Sequence, residues 1–187
     1  MRMAAIEKAW TEDDLATLPD DGNRYEIIDG VLFVTPSPTW THGDAILSLV
    51  RKLDPYLVKI GAGHLKVAPQ DVRFDKRTVV EPDLFVVPLV NGRPPRTWAD
   101  VGRLLLAIEV ISPSSARPDR VAKRALYQRQ GVPEYWVVDV DAGVIDRWRP
   151  GDERAEILTD RIEWQPSPEH PALSIDLVAY FRDVRGD

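Results

Sequence analysis

The chain contains no cysteine, which removes a disulfide, a zinc–thiolate site and a thiol nucleophile from the possibilities at once. That absence fits a reducing cytoplasm, the location expected here. No apolar run nears the roughly 20 residues that a membrane-spanning helix needs, so no membrane association is expected. Residues 1–10 carry Glu7 and no apolar core, so they do not read as a signal peptide. The chain also lacks an excess of basic residues. Lysine and arginine number 24 against 30 acids, for a net charge of −6. A protein that coats nucleic acid would be basic overall. A nuclease need not be, because its acids can hold a metal while a local basic patch meets phosphate. Neither a Gly-x-Ser-x-Gly elbow nor a P-loop occurs, so a serine hydrolase and a P-loop nucleotide hydrolase find no support.

What the 187 residues do contain is an ordinary globular balance, 44% hydrophobic and 29% charged, enough for one domain with a real core over residues 1–187. Thr11 followed by Glu12, Asp13 and Asp14 is a helix-start pattern. Residues 24–34 read as a hairpin turning at Asp29-Gly30. Residues 42–60 hold the longest helical pattern, with Ile46, Leu49, Val50, Leu53, Leu57 and Ile60 on one face and Pro55 expected to kink or split it. Residues 64–74 are strand-like, with Leu65, Val67, Val72 and Phe74 as candidate inward residues. A helix from Asp119 to about Gln130 separates two buried-type strands, which allows a parallel crossover. An alternating strand at 144–149, a further one at 154–159 and a closing helix at 175–184 complete the chain. The order implies a mixed α/β domain, a central mixed sheet flanked by helices.

Two apolar strands carry acids. Residues 104–111 form a continuous apolar run with Glu109 inside it, and residues 79–87 hold Asp83 after Pro82. An unpaired carboxylate in such a run costs several kcal/mol or loses its charge. Glu109 therefore needs a basic partner or a cation. Two acids on neighbouring strands, completed by phosphate oxygens, match what Mg²⁺ (or Mn²⁺) prefers. Glu26 on the hairpin is a further acid of this set, or a cross-strand partner of Arg24 or another basic residue. Lys123 is either a solvated helix lysine or a group that acts on phosphate or water beside the metal. It falls at four-residue steps from Asp119 and Tyr127, on one helix face, opposite an apolar face read as Val121, Ala122 and Ala125. As a surface lysine it should be removable with little effect on folding. Arg117, Arg120, Lys123, Arg124 and Arg129 make a basic run, either a solvated face or an edge that contacts phosphate. His42 reads as a helix N-terminal residue, and Tyr135-Trp136 as core.

Taken in order, Tyr25-Glu26-Ile27-Ile28-Asp29-Gly30, His42, Glu81-Pro82-Asp83-Leu84, Glu109-Val110-Ile111-Ser112-Pro113-Ser114, Asp119 with Lys123 and Tyr127, and residues 131–139 resemble the Uma-two family of restriction endonuclease-like proteins. The resemblance covers roughly residues 25–141. It implies a restriction-endonuclease-like, PD-(D/E)XK nuclease fold and a Mg-dependent endodeoxyribonuclease, a phosphodiester hydrolase acting on DNA. It also implies roles: Asp83 and Glu109 as metal-binding acids, Val110 as a backbone-carbonyl ligand, and Glu26 as an auxiliary acid. The lysine that the resemblance implies two residues after Glu109 is Ile111 here, and Lys123 on the following helix is the candidate for its migrated counterpart. The alternative implied by that displacement is a catalytically inactive nuclease fold serving as a nucleic-acid-binding or accessory module. The residues do not choose between DNA and RNA. A homodimer would suit cleavage of both strands of a duplex.

Overall fold

The computed structural model describes residues 8–111 and 118–187. Its frame is a six-stranded sheet in the order β10-β9-β8-β7-β6-β3. The strands are β3 (His64–Val67), β6 (Leu84–Val87), β7 (Leu106–Val110), β8 (Tyr135–Asp139), β9 (Val144–Trp148) and β10 (Glu156–Leu158). β7 and β8 run parallel and their neighbours antiparallel, so the sheet is mixed as expected. The parallel pair follows from the crossover between them, which contains a π-helical turn, Pro118–Lys123, and the helix α3 (Arg124–Arg129).

The hairpin lies elsewhere. β1 (Arg24–Ile28) and β2 (Val31–Thr35) join β4 (Val72–Asp75) and β5 (Thr78–Val80) in a second sheet of order β2-β1-β5-β4. Asp29 and Gly30 make the turn with φ of 53° and 82°, the left-handed pair that a tight two-residue hairpin requires. The expected single strand over residues 79–87 is two strands in two sheets. Pro82 cannot donate to a ladder. The chain leaves one sheet after Val80 and enters the other at Leu84, and Glu81-Pro82-Asp83 is the crossing. Residues 64–74 divide in the same way, between β3 and β4, with Pro69 in the gap.

Strand alternation gives the six-stranded sheet two apolar faces. Leu84, Val86, Leu106, Ile108, Trp136 and Val138 point to one side. There α2 (Trp40–Ile60) packs through Ala45, Leu49, Leu53 and Leu57, with α4 (Leu177–Arg185) and the ribbon of β11 (Arg161–Trp164) and β12 (Leu173–Asp176). Phe85, Ala107, Tyr135 and Val137 point to the other side, towards Leu126 and Tyr127 of α3 and Ile28, Val72 and Val80 of the second sheet. A short helix, α1 (Glu12–Leu15), starts at Thr11, whose side chain and Asp14 form a reciprocal cap.

Pro55 does not split α2, which runs through it. Leu53 and Leu57 on either side are buried in the same core and hold both halves to one sheet. Ile175 belongs to β12, and the closing helix begins two residues later. Val121 is exposed, and α3 turns Leu126 and Tyr127 inward instead. Ser112, Pro113, Ser114 and Arg117 lie outside the described residues, as does the side chain of Asp119.

Candidate active site

The register of β6 and β7 fixes the acid pair. Leu84 stands opposite Ile108, so one step further Asp83 stands opposite Glu109, with both side chains on the face of Phe85 and Ala107. That face looks towards β1, whose alternation puts Arg24, Glu26 and Ile28 on one side. The seam between the two sheets thus collects side chains from both. Asp83 and Glu109 are each 1% exposed, Glu26 3% and Lys123 2%. Exposure this low means that every charge must be answered within the cluster.

Lys123 answers two of them. Its Nζ lies 2.8 Å from Glu26 Oε2 and 2.8 Å from Glu109 Oε1. Tyr127, one turn along, donates its hydroxyl to the same Glu109 oxygen at 3.4 Å. The other oxygen of Glu26, Oε1, accepts from the Glu81 backbone N–H at 2.7 Å, so Glu26 also pins the crossing segment. Lys123 is therefore not the surface lysine expected, and the premise that it can be removed with little effect on folding loses its basis.

Asp83 is held from three sides. Its Oδ2 accepts from the Val110 N–H at 2.8 Å. Arg24 Nη1 reaches Oδ1 at 2.8 Å, while Arg24 Nε pairs with Glu81 Oε1 at 2.9 Å. His42 Nε2 lies 3.3 Å from Asp83 Oδ1 but off the line of a hydrogen bond, and it is buried with no hydrogen-bond partner among the described residues. Burial pushes the Asp83 carboxyl up, but the His42 ring, then Arg24 and Lys123, outweigh it and hold the group down to about 2. Burial raises the Glu81 carboxyl, with Arg24 opposing.

The four residues expected from sequence, Glu26, Asp83, Glu109 and Lys123, converge, together with the Val110 backbone. They line a small cleft of about 30 Å³ with Arg24, His42 and Pro38. Arg24, His42, Pro36 and Pro38 also line a wider groove of about 500 Å³ that runs past Tyr25, Ile46 and Val67. Arg24 and His42 were missed as site residues. Arg24 had a readable signal, since it is two residues from Glu26 on one strand face. His42 was part of the family resemblance, but only the fold brings the start of α2 to Asp83.

The described arginines of the basic run have partners of their own. Arg120 pairs with Asp139 and Asp146, Arg129 pairs with Asp29, and Arg124 stacks over Trp148 at 4.8 Å from the ring centre.

Two outcomes follow from this packing. Removing Lys123 leaves Glu26 and Glu109 facing each other without their shared cation, so Lys123→Ala should lower stability by about 3–5 kcal/mol in urea unfolding. Lys123→Ala combined with Glu26→Gln should recover part of the loss. A loss below about 0.5 kcal/mol, the scale of a surface change, would mean that the ion pairs do not hold in solution. The depressed Asp83 carboxyl contributes stability that is complete above its ordinary value of 3.8 and disappears as pH falls towards 2. In metal-free buffer, Asp83→Asn should flatten the stability profile across that window, and an unchanged slope would remove Asp83 from the balance.

The family model Uma2, described as "Putative restriction endonuclease", matches residues 12–178. No curated protein matches the chain. Among solved structures, a "putative nuclease belonging to DUF820" from Anabaena variabilis ATCC 29413 shares the fold with a TM-score of 0.76, at 18% identity, over 93% of this chain and 98% of that one. The family match spans both sheets, the crossing and the whole acid–lysine cluster: this chain belongs to the Uma2 family.

Proposed function

We propose that the chain is a metal-dependent endonuclease that hydrolyses phosphodiester bonds of DNA at the Asp83–Glu109 cleft. The observation that carries this reading is the juxtaposition of Asp83, at the entry to β6, with Glu109 on the adjacent β7, and the Lys123 amine 2.8 Å from Glu109. The family description and the nuclease title of the structural neighbour support the same class.

The donor set fits a hard divalent cation. Three buried carboxylates, Glu26, Asp83 and Glu109, share two full cations, Arg24 and Lys123, and Glu81 adds a further negative charge at the rim. Beside them His42 Nε2 is a buried polar atom without a hydrogen bond. Among the described residues no three carboxylate or imidazole groups already form a ligand set. Mg²⁺ suits such a site, since one or two carboxylates with water and substrate phosphate are its usual complement.

Asp83 and Glu109 would hold Mg²⁺ or Mn²⁺, with the Val110 carbonyl as a third donor. Bound there, the cation would supply Lewis-acid polarisation of the phosphate and make an attached water more acidic. Glu109 orients that site through Lys123 and Tyr127. Lys123 holds its protons at Nζ, fixed by Glu26 from the second sheet, and presents positive charge where the phosphate acquires negative charge. Glu26 acts as a positioning residue, because its oxygens are spent on Lys123 and the Glu81 N–H. A second reading, a nucleic-acid-binding or accessory protein without catalysis, draws on one feature: Glu26, Asp83 and Glu109 each already have a basic partner.

Calorimetry with Mn²⁺ should detect binding to the wild type and a loss of at least about tenfold in Asp83→Asn, a change that keeps the side chain's size. The wild type should cut DNA oligonucleotides with Mg²⁺ or Mn²⁺ and not with EDTA. Lys123→Gln, checked for folding, should cut about 10²-fold more slowly. Equal Mn²⁺ binding in both proteins would remove Asp83 from the site. Oligonucleotide binding with no cleavage would favour the accessory reading.

A further inference from the structure

We propose that Arg24 is an exchangeable counter-ion of Asp83: a divalent cation must displace its guanidinium to reach the carboxylate, and the displaced arginine then meets the substrate phosphate. This role rests on the metal-dependent reading above.

The geometry around Arg24 differs from that around Lys123. Lys123 is clamped between two carboxylates and is almost fully buried. Arg24 is partly exposed, its side chain 19% accessible, and bridges a deep acid and a shallow one. One end, Nη1, touches Asp83 Oδ1 at 2.8 Å, and the other, Nε, touches Glu81 Oε1 at 2.9 Å. Nη1 also donates to the Glu81 carbonyl at 3.2 Å. Loss of the Asp83 contact therefore leaves the side chain tethered to Glu81.

The oxygen at issue is the one that a metal would use. Asp83 Oδ2 is committed to the Val110 N–H, which leaves Oδ1 as the outward lone-pair donor. With Arg24 Nη1 at 2.8 Å and His42 Nε2 at 3.3 Å both crowding Oδ1, a cation at about 2.0–2.6 Å from that oxygen competes with the guanidinium for the same side of the carboxylate. Cation and guanidinium are both positive, and they repel. Arg24 is also among the residues that line both the inner cleft and the outer groove. In leaving Asp83 it stays at the junction through which a phosphodiester would reach the acids, where its planar fork matches phosphate oxygens. Among the described residues, the other arginines of the basic run, Arg120, Arg124 and Arg129, have partners away from the cleft.

The test reads metal affinity directly, by Mn²⁺ calorimetry on the full chain. Arg24→Gln removes the competing charge and should bind Mn²⁺ at least about tenfold more tightly than wild type, the scale of one nearby unit charge. Arg24→Lys keeps the charge but cannot span Asp83 and Glu81 together, so it should fall between the two. A general field effect would leave Arg24→Lys equal to wild type, and that result overturns the exchange even if Arg24→Gln fails to fold. Unchanged or weaker Mn²⁺ binding in Arg24→Gln overturns it as well. If neither wild type nor Arg24→Gln binds Mn²⁺, the metal-dependent reading fails and the exchange falls with it. With Ca²⁺ present, a labelled DNA oligonucleotide should bind Arg24→Gln about tenfold more weakly by fluorescence anisotropy, as for one lost charge-assisted contact. Undiminished oligonucleotide binding would overturn the phosphate role.

Discussion

Burying Lys123 between Glu26 and Glu109 is the constraint from which the rest of the site follows. Glu26 belongs to one sheet, Glu109 to the other, and Lys123 to the crossover that makes β7 and β8 parallel. Three charges taken out of water cost several kcal/mol each after relaxation. Such a cluster persists only if its geometry is well satisfied, and the 2.8 Å contacts and the Tyr127 hydroxyl provide that. A hydrophobic triad of similar volume would hold the sheets together at least as well. Stability alone therefore does not account for charge at this depth.

The seam also explains why the two acids differ. Glu109 lies within a strand and is held by side chains. Asp83 lies at the crossing between sheets and is held by a backbone N–H and by groups nearer the surface, Arg24 and His42. The crossing exists because Pro82 interrupts the ladder, and Glu26 fixes it by accepting from the Glu81 N–H. The two carboxylates are equally buried, but only Asp83 is held by side chains that also line the outer groove. The proposed entry of a cation and a phosphate from the groove side would draw on that difference.

Much of this was legible in the sequence, and the failures have physical causes. The alternation and apolar runs of β7, β8 and β9 announced themselves, and so did the long α2 face, because burial on both sides of a sheet leaves little choice of residue. The acid pair was legible because a carboxylate inside an apolar run is conspicuous. The second sheet was not, since residues 79–87 read as one strand and nothing local says that the two halves pair with different partners. Lys123 was legible as a candidate but not as a buried one. A lysine in a basic helix looks solvated until the fold puts two acids against it. The same blindness left Arg120 and Arg129 open between a solvated face and a phosphate-contacting edge, with no sign of their long-range partners Asp146 and Asp29.

The central claim is that this charge cluster is a metal site framed by two sheets. Anomalous diffraction from crystals grown with Mn²⁺ tests it most directly. The account predicts a peak between the Asp83 and Glu109 carboxylates, with oxygens about 2.0–2.6 Å away, Lys123 still on Glu26, and Arg24 moved off Asp83. A protein saturated with Mn²⁺ by calorimetry whose only peak lies away from these two acids would contradict it.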